Sequence, residues 1–338
     1  MTQTTTMQAA VLAAYDTPLT LSTIDRPVAA AGQVLVRVHA SGVNPLDVKI
    51  HAGQAGHARV RLPAILGIDL AGVVVAVGAG VDAFRVGDEV YGMTGGIGGV
   101  PGSLAQYAAV DADLLAIKPR NMTMRAAAAL PLVFITAWEG LIERARIDAA
   151  GAGAPLKVLV QGGAGGVGHI AVQIARAYGA DVYATGSAAS LDLIAAYGAT
   201  AIDYRAATPQ QYAERYTGGA GFDVVYDTVG GATLDASFGV ARLHGGHVVS
   251  CLGWGSHALA PLSFRAATYS GVFTLLPLLS GEGRARHGAI MREATRLVEA
   301  GQLTILLDER RYTLATVDAA HQAIADGTAK GKLVIEID

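Results

Sequence analysis

The stretch that decides the fold is residues 158–176, VLVQGGAGGVGHIAVQIAR. Its first three apolar residues predict a buried strand, and after a glycine turn apolar residues recur at helical spacing. Gly163, Gly165 and Gly168 occupy the glycine positions of G-x-G-x-x-G, which serve a tight turn, close approach to a phosphate and close helix packing. A helix starting near Gly166 would point free amides and its positive dipole end at that phosphate. The stretch therefore predicts a dinucleotide-binding unit, with a phosphate-free glycine turn as the alternative.

Strand and helix patterns alternate after this stretch. The predicted strands are residues 181–185, 201–204, 222–227 and 246–251, and the predicted helices are residues 190–197, 209–216 and a segment from residue 232 onward. Such alternation is typical of a doubly wound parallel sheet with helices on both faces. An apolar segment at 272–276 predicts a last strand at the sheet edge, where unpaired backbone groups would favour a homodimer.

The two ends of the chain have a different pattern. The first 120 residues contain short valine-rich and glycine-rich runs between turn signals, which predict an irregular β domain. Residues 125–146 predict a helix or helix pair interrupted near Pro131, and residues 284–300 predict an amphipathic helix. Because β character returns at 303–307 and 332–337, we expect the end of the chain to rejoin the first domain.

Composition narrows the class of protein. A length of 338 residues favours two domains, and the apolar runs are shorter than the roughly 18 to 20 residues of a membrane span. The amino terminus has no secretory pattern, which predicts a cytoplasmic protein. A net charge of -3 without basic runs argues against nucleic-acid binding and favours small-molecule chemistry. The single cysteine, Cys251, excludes an intrachain disulfide, and we interpret it as a small core residue at a strand end that lies beside the cofactor.

Several motifs together resemble one family. They are SGVNPLD at 41–47, GIDLAG at 67–72, GDEV at 87–90, ALP at 129–131, TAW at 136–138, and GGVG at 165–168 followed by Gln173 and Arg176. The chain resembles the medium-chain dehydrogenase/reductase superfamily, in its zinc-independent quinone oxidoreductase (zeta-crystallin-like) and enone reductase branch. The resemblance implies an α/β protein with a GroES-like β domain at 1–123 and 283–338. A Rossmann domain with a doubly wound parallel sheet would occupy 124–282, and the active site would lie in the cleft between the domains.

The resemblance also bears on metal binding. Zinc alcohol dehydrogenases of this superfamily have a cysteine where this chain has Asn44, and a His-Glu pair where it has Ile68 and Asp69. Catalytic zinc needs about three protein ligands on converging elements, so we expect no metal. The lobe that holds structural zinc in those enzymes corresponds to a cysteine-free loop at 92–102, which we interpret as a flexible surface flap.

The predicted cofactor is NADPH. The strand end at Thr185 and Ser187 lacks the carboxylate that binds the ribose hydroxyls of NAD, and Ser187, Tyr204 and Arg205 could contact a 2'-phosphate. Leu191 replaces a lysine that related NADPH enzymes often have. Turn capping and packing at the edge of the core are the alternative roles for Ser187 and Tyr204. The predicted cofactor-binding residues are Asn44, Thr136, Gly163, Gly165, Gly166, Val167, Gly168, Ser187, Tyr204, Arg205 and Cys251.

The predicted catalytic residues are Lys49 and Asn44. Lys49 would hydrogen-bond a substrate carbonyl and supply a proton, while Asn44 would orient the nicotinamide, its ribose or the substrate. Thr136 would contact the nicotinamide side of the cleft, and Asp47 would be a structural partner for backbone or for Lys49. A solvated surface lysine, an Asn-Pro turn and an ordinary helical threonine are the alternatives. The expected activity is NADPH-dependent reduction of a quinone or an α,β-unsaturated carbonyl without zinc; a zinc-free alcohol dehydrogenase and a catalytically idle NADPH-binding protein are the alternatives.

Overall fold

The computed structural model describes residues 5–149 and 154–338. The chain divides into two compact units. The first contains the chain up to Leu132 together with Leu275–Gly301 and Ile305–Asp338, and the second contains Val133–Thr274 and Gln302–Thr304.

Strands dominate the amino-terminal part of the first unit. In chain order its elements are β1 (Thr6–Leu12), β2 (Thr20–Asp25), β3 (Gln33–Val43), α1 (Pro45–His51), β4 (Ala64–Ile65), β5 (Asp69–Val77), β6 (Glu89–Met93), β7 (Tyr107–Asp111), β8 (Leu115–Ile117) and α2 (Met124–Ala128). The predicted irregular β domain is therefore confirmed, and its valine-rich runs form β3 and β5.

Helices and strands alternate through the second unit. Its elements are α3 (Pro131–Trp138), a π-helical continuation (Glu139–Arg144), β9 (Lys157–Gln161), α4 (Gly166–Ala177), β10 (Asp181–Gly186), α5 (Leu191–Ala196), β11 (Thr200–Asp203), α6 (Pro209–Thr217), β12 (Val224–Asp227), α7 (Ala232–Phe238), β13 (His247–Ser250), α8 (Ala260–Ser263) and β14 (Thr268–Gly271). Helix α3 begins in the first unit, at Pro131.

The remaining elements return the chain to the first unit. They are α9 (Leu276–Ser280), α10 (Arg284–Glu299), β15 (Tyr312–Thr313), α11 (Val317–Ala325) and β16 (Leu333–Glu336). Strand β16 pairs antiparallel with β3, so the carboxyl-terminal strand lies in the sheet built by the amino-terminal strands. That sheet has the order β15-β16-β3-β5-β6-β8, with β7 also paired to β3, and a separate sheet has the order β2-β1-β4.

The second unit contains a six-stranded parallel sheet. Its order is β11-β10-β9-β12-β13-β14, so the chain starts in the middle at β9, proceeds outward to β11, and then crosses to the other side. This is the 3-2-1-4-5-6 order of a dinucleotide-binding sheet. Its strands are buried because helices cover them, and Leu159, Val225 and Val248 form one core with Phe222 and Phe238. The predicted doubly wound sheet is confirmed.

Three local predictions are wrong. The last strand of the parallel sheet is β14 and not residues 272–276, which lead into α9, because Pro277 favours the first turn of a helix. Residues 303–307 form no strand apart from the bridge of Leu307 to Lys332. The loop at 92–102 is exposed only from Gly98 to Pro101, because its first part packs inside the unit.

No helix in residues 5–149 or 154–338 combines the length and apolar character that crossing a bilayer requires.

Candidate active site

The glycine turn between β9 and α4 adopts the predicted strand, turn and helix. The residue with left-handed backbone is Gly162, at φ 79°, just before the three glycines of the predicted motif. Its amide donates to Thr185 Oγ1 over 3.0 Å, and the Gly163 amide donates to the Thr185 carbonyl over 2.8 Å. The tight turn therefore depends on Gly162, and the neighbouring strand β10 holds it through Thr185.

The three glycines of the motif have different steric surroundings. A Cβ on Gly168 would lie 2.0 Å from the Gly162 carbonyl oxygen, and a Cβ on Gly163 would lie 2.6 Å from the Ala184 Cβ. A Cβ on Gly165 would meet only the Gly162 carbonyl oxygen, at 3.2 Å. Gly163 and Gly168 are thus required for packing, whereas Gly165 is exposed and leaves its outer side open.

The amino terminus of α4 has the properties of an anion site. Gly165 is its N-cap and offers no side chain, and Gly165 and Gly166 are exposed. Within the described chain, the amides of Gly166, Val167 and Gly168 donate to no protein acceptor, as expected for a first helical turn. Because α4 has 12 residues, these amides and its dipole suit a pyrophosphate group. The residues present fit a dinucleotide at this turn.

Three predicted cofactor residues lie at adjacent strand ends. Strands β10 and β11 pair in parallel with Gly186 opposite Asp203, which brings Ser187 and Tyr204 to the same sheet edge. The Tyr204 ring is 52% exposed, and the Arg205 guanidinium carbon lies 5.4 Å from its centroid. Arg205 is exposed, and a guanidinium group can contact a phosphate.

The two other predicted cofactor residues of this unit are less accessible. The Thr136 hydroxyl is 3.1 Å from the Thr274 hydroxyl, which donates to Glu139, and the Thr136 carbonyl accepts from the Tyr226 hydroxyl. Cys251 follows β13 and is half-buried. Burial raises the pKa of the Cys251 thiol to about 12, so the thiol stays protonated at neutral pH.

A second group of polar side chains lies in the first unit, where three neighbouring strands share one end. Asn44 follows β3 and is the N-cap of α1, Asp69 begins β5, and Lys332 immediately precedes β16. The antiparallel register pairs Gly42 with Asp69 and Leu333 with Val43. Because β16, β3 and β5 are adjacent in the sheet, these three side chains converge.

Hydrogen bonds join these side chains into what we call the polar cluster, which consists of Asn44, Asp47, Asp69 and Lys332. Lys332 Nζ donates to Asn44 Oδ1 and, over 2.9 Å, to the Val43 carbonyl. Asn44 Nδ2 donates to Asp69 Oδ2 over 2.9 Å, and the Asn44 amide donates to Asp47 Oδ2 over 2.8 Å. All four residues are buried, with Lys332 the most exposed at 5%.

Burial controls the charges of the polar cluster. It raises the pKa of Asp69 to about 7 and that of Asp47 to about 6, and the Lys332 ammonium opposes both shifts. Burial also lowers the pKa of Lys332, against the attraction of the two carboxylates. The protonation states of the two carboxyl groups and of the ammonium therefore depend on one another.

Lys49 lies outside the polar cluster. It is exposed on α1, and within the described residues its ammonium makes no hydrogen bond or ion pair with the protein. Asp47, two residues earlier, bonds the Asn44 backbone amide and no lysine side chain. Asn44 and Lys49 are thus on one short segment, but only Asn44 is held by the surrounding protein.

The polar cluster does not fit a zinc ion. Its donors are an amide oxygen, two carboxylates and an ammonium, and the ammonium already occupies the amide oxygen. Zinc in proteins prefers thiolate and imidazole ligands, and a neighbouring cation disfavours it. Within the part of the chain that the structure describes, no three His, Cys, Asp or Glu side chains are arranged to hold a metal.

Lys332 is the residue that sequence reasoning missed. Its only local signal is a lysine placed between Gly331 and the apolar run of β16, a pattern that solvated lysines share. Its burial follows from pairing between strands that are almost 300 residues apart. No spacing argument could have joined it to Asn44.

Comparisons with known proteins agree with this architecture. A family model described as the alcohol dehydrogenase GroES-like domain matches residues 30–120, and one described as zinc-binding dehydrogenase matches residues 197–335. A 2-methylene-furan-3-one reductase from Solanum lycopersicum is 35% identical over 311 residues, which cover 90% of this chain and 71% of that protein. An NADPH-dependent alkenal/one oxidoreductase from Arabidopsis thaliana, a chloroplastic protein, is 34% identical over 311 residues, covering 90% and 72%.

A solved structure is similar over nearly its whole length. The crystal structure of an alcohol dehydrogenase superfamily protein from Novosphingobium aromaticivorans superposes with a TM-score of 0.94 at 54% identity, covering 98% of this chain and 100% of that one. The match includes a GroES-like unit and a parallel-sheet unit of the Rossmann type. The chain belongs to the alcohol dehydrogenase superfamily of medium-chain dehydrogenases/reductases.

Proposed function

We propose that this protein is an NADPH-dependent reductase of α,β-unsaturated carbonyl compounds or quinones that works without zinc. The observation that carries the proposal is the open amino terminus of α4, which follows a glycine turn in a sheet of dinucleotide-binding order. The names of two relatives, a 2-methylene-furan-3-one reductase and an NADPH-dependent alkenal/one oxidoreductase, support it.

The choice of NADPH rests on Arg205, which follows β11, and on the residues at the end of β10. A nicotinamide dinucleotide would place its pyrophosphate on the amides of Gly166, Val167 and Gly168. Arg205 and Ser187 would contact the 2'-phosphate, and no carboxylate stands at Gly186 or Ser187 to repel it. NADH would lack the contact with Arg205, so we expect weaker binding of NADH.

The substrate class follows from the groups available to hold a developing negative charge. When bound, NADPH supplies the hydride. The exposed Lys49 ammonium would hydrogen-bond the substrate carbonyl and return a proton to the enolate, and Asn44 would hold the nicotinamide or the substrate. Conjugated carbonyls and quinones spread their negative charge, and therefore need less electrophilic help than a simple ketone.

An assay with a small panel of acceptors tests the proposal. We expect the protein to oxidise NADPH with enones or quinones, and Lys49→Ala to lower kcat by about 10-fold or more, because general acid catalysis contributes 100-fold or more in favourable cases. Lys330→Ala is the matched control, since Lys330 is the other exposed lysine of this unit. NADPH binding without oxidation by any acceptor would favour the idle-binder alternative. Oxidation of NADPH only with simple ketones, together with reduction of NADP⁺ by simple alcohols, would favour an alcohol dehydrogenase.

Assembly and location are part of the same proposal. We expect a cytoplasmic homodimer in which the free edge of β14 meets its copy, since an unpaired edge strand favours such pairing. Light scattering that shows a monomer at micromolar concentration would reject the dimer.

A further inference from the structure

We propose that Lys332 is a positioning residue, which fixes the orientation of the Asn44 side-chain amide for the reductase reaction. The inference rests on the proposed function, because it takes Asn44 to contact the cofactor or the substrate. It assigns to Lys332 a role that the sequence motifs do not contain.

The first step is the direction of the amide. An ammonium group only donates hydrogen bonds, so its partner must be the Asn44 oxygen. Above its pKa of about 7, Asp69 is ionised and only accepts, so Asp69 Oδ2 then faces the Asn44 nitrogen. Both neighbours therefore select the same one of the two amide orientations.

The second step concerns what this orientation leaves free. Asn44 Oδ1 is occupied by Lys332, and one hydrogen on Nδ2 is occupied by Asp69. The second hydrogen on Nδ2 faces the Asp47 carboxylate, and because Asn44 is fully buried, an oxygen of the cofactor or the substrate would have to take the place of that carboxylate. Asn44 thus acts as a donor only, and a flipped amide would present an acceptor to the same partner instead.

The third step is the rigidity of the support. Lys332 Nζ also bonds the Val43 carbonyl, so one ammonium holds both the Asn44 side chain and the peptide just before it. Asp69 is fixed in turn, because its Oδ1 accepts from the Leu132 amide over 3.0 Å. Removing Lys332 would release Asn44 at two points and leave two carboxylates without their buried cation.

The fourth step explains why a charged residue is found here. A buried ion pair contributes little net stability compared with well-packed apolar side chains. A methionine could fill the space of the lysine stem, but it could not direct an amide. The charge is better explained by the orientation it imposes than by the stability it adds.

Steady-state kinetics of a double-mutant cycle test the role in the reaction. We expect Lys332→Met to lower kcat by about 10- to 100-fold with a smaller change in KM, as loss of orientation does. In an Asn44→Ala background the same substitution should change kcat by less than about 2-fold, since Lys332 acts through Asn44. Equal losses in both backgrounds, or no loss in either, would overturn the proposal.

The sequence offers a readout that does not depend on activity. Asn44 and Asn121 are the asparagines of the chain, so ¹⁵N-asparagine labelling gives two side-chain amide signals. Asn121 Nδ2 donates to the Val298 carbonyl and is an internal control. In the protein without cofactor, we expect hydrogen exchange of the Asn44 side-chain amide to accelerate in Lys332→Met by about 10-fold or more, with Asn121 unchanged. Unchanged exchange at Asn44 would overturn the positioning role even if the protein proves to have no reductase activity.

A charge-compensated variant separates the loss of orientation from a loss of stability. Lys332→Met together with Asp69→Asn removes one cation and one carboxylate, so the cluster keeps its net charge while the support of Asn44 is lost. We expect this variant to melt close to the parent and still to have low kcat. Recovery of parental kcat along with stability would mean that Lys332 only neutralises charge, and would overturn the proposal.

Discussion

The glycine turn of the second unit and the polar cluster of the first unit are two candidate sites built in opposite ways. The turn uses backbone groups of consecutive residues, Gly162 to Gly168, and carries no side-chain charge. The polar cluster uses side chains from residues 44, 47, 69 and 332, and three of them are titratable. The turn would bind through backbone amides and the helix dipole, which do not titrate, whereas the cluster depends on its protonation states.

This difference predicts that substitutions in the two regions destabilise the protein for different reasons. A substitution in the turn fails when a new atom collides with backbone, whatever the pH. A substitution in the polar cluster fails when a charge loses its partner, and the size of the effect changes with pH. The following predictions separate these two kinds of failure.

The largest effect is expected at Gly168. In Gly168→Ala, the new Cβ would lie 2.0 Å from the Gly162 carbonyl oxygen, so α4 must move away from the turn. We expect a loss of about 1 to 3 kcal/mol in the free energy of unfolding and at least about 10-fold weaker NADPH binding. Urea denaturation and calorimetric titration measure the two quantities.

Gly165→Ala is the matched control for that substitution. Its Cβ would lie 3.2 Å from the nearest atom, and Gly165 is exposed, so the fold should keep nearly all of its stability. NADPH binding should still weaken, because the Cβ points into the space left for a phosphate. Equal destabilisation by both alanines would contradict the separate steric roles given to these glycines.

The raised pKa of Asp69 should make stability fall as the pH rises. Because the folded-state pKa of Asp69 is about 7, above its ordinary value, the folded protein binds more protons than the unfolded chain between about pH 4 and pH 7. The free energy of unfolding therefore has a contribution that is lost as pH rises through that window. We expect Asp69→Asn to reduce the decline between pH 5 and pH 7.5 by about 1 to 3 kcal/mol, measured by urea denaturation. An unchanged slope would mean that Asp69 ionises normally.

A smaller effect is expected at Arg205. Arg205→Ala should raise the Kd for NADPH about 10-fold, equivalent to about 1.4 kcal/mol, and leave the Kd for NADH within about 2-fold. Arg215→Ala is a suitable control, since the Arg215 guanidinium lies over the neighbouring Tyr216 ring at 5.2 Å, as that of Arg205 lies over the Tyr204 ring. Equal weakening of both nucleotides would remove Arg205 from the 2'-phosphate site.

The smallest effect is expected at Cys251. Because burial raises its pKa to about 12, the thiol should react with iodoacetamide at pH 8 at least about 100-fold more slowly than an unfolded-chain cysteine. Cys251→Ala should leave kcat within about 3-fold of the parent. Rapid alkylation of the folded protein, followed by mass spectrometry, would contradict a protonated thiol.

The parallel sheet was predictable because its signals are local. Each strand from β9 to β13 contains a short apolar run and is followed by a helix or a helical segment. The glycine turn marks the first connection from a strand to a helix. The error at residues 272–276 arose because an apolar run before Pro277 fits a strand and a helix start equally well. Gly162 was missed because the motif begins one residue later.

The polar cluster was predictable only in part. Asn44 and Asp69 stand at positions where the zinc enzymes of the superfamily have ligands, so the resemblance pointed to them. Lys332 lies beside Asn44 only because β16 pairs with β3, and these strands come from opposite ends of the chain. Burial and charge at such a position depend on tertiary structure, and a single sequence does not contain that register.

The place of β16 also affects how the protein matures during synthesis. A growing chain that has reached β14 contains the strands of the parallel sheet and could already assemble the glycine turn. Strand β3 lacks its partner β16 until the end of the chain has been synthesised. The Lys332 ammonium, which the two carboxylates face, is added at the same late stage. A nascent polypeptide would thus form the glycine turn before Lys332 is available to the polar cluster. During that interval Asp47 and Asp69 would be neighbours without a counter-ion.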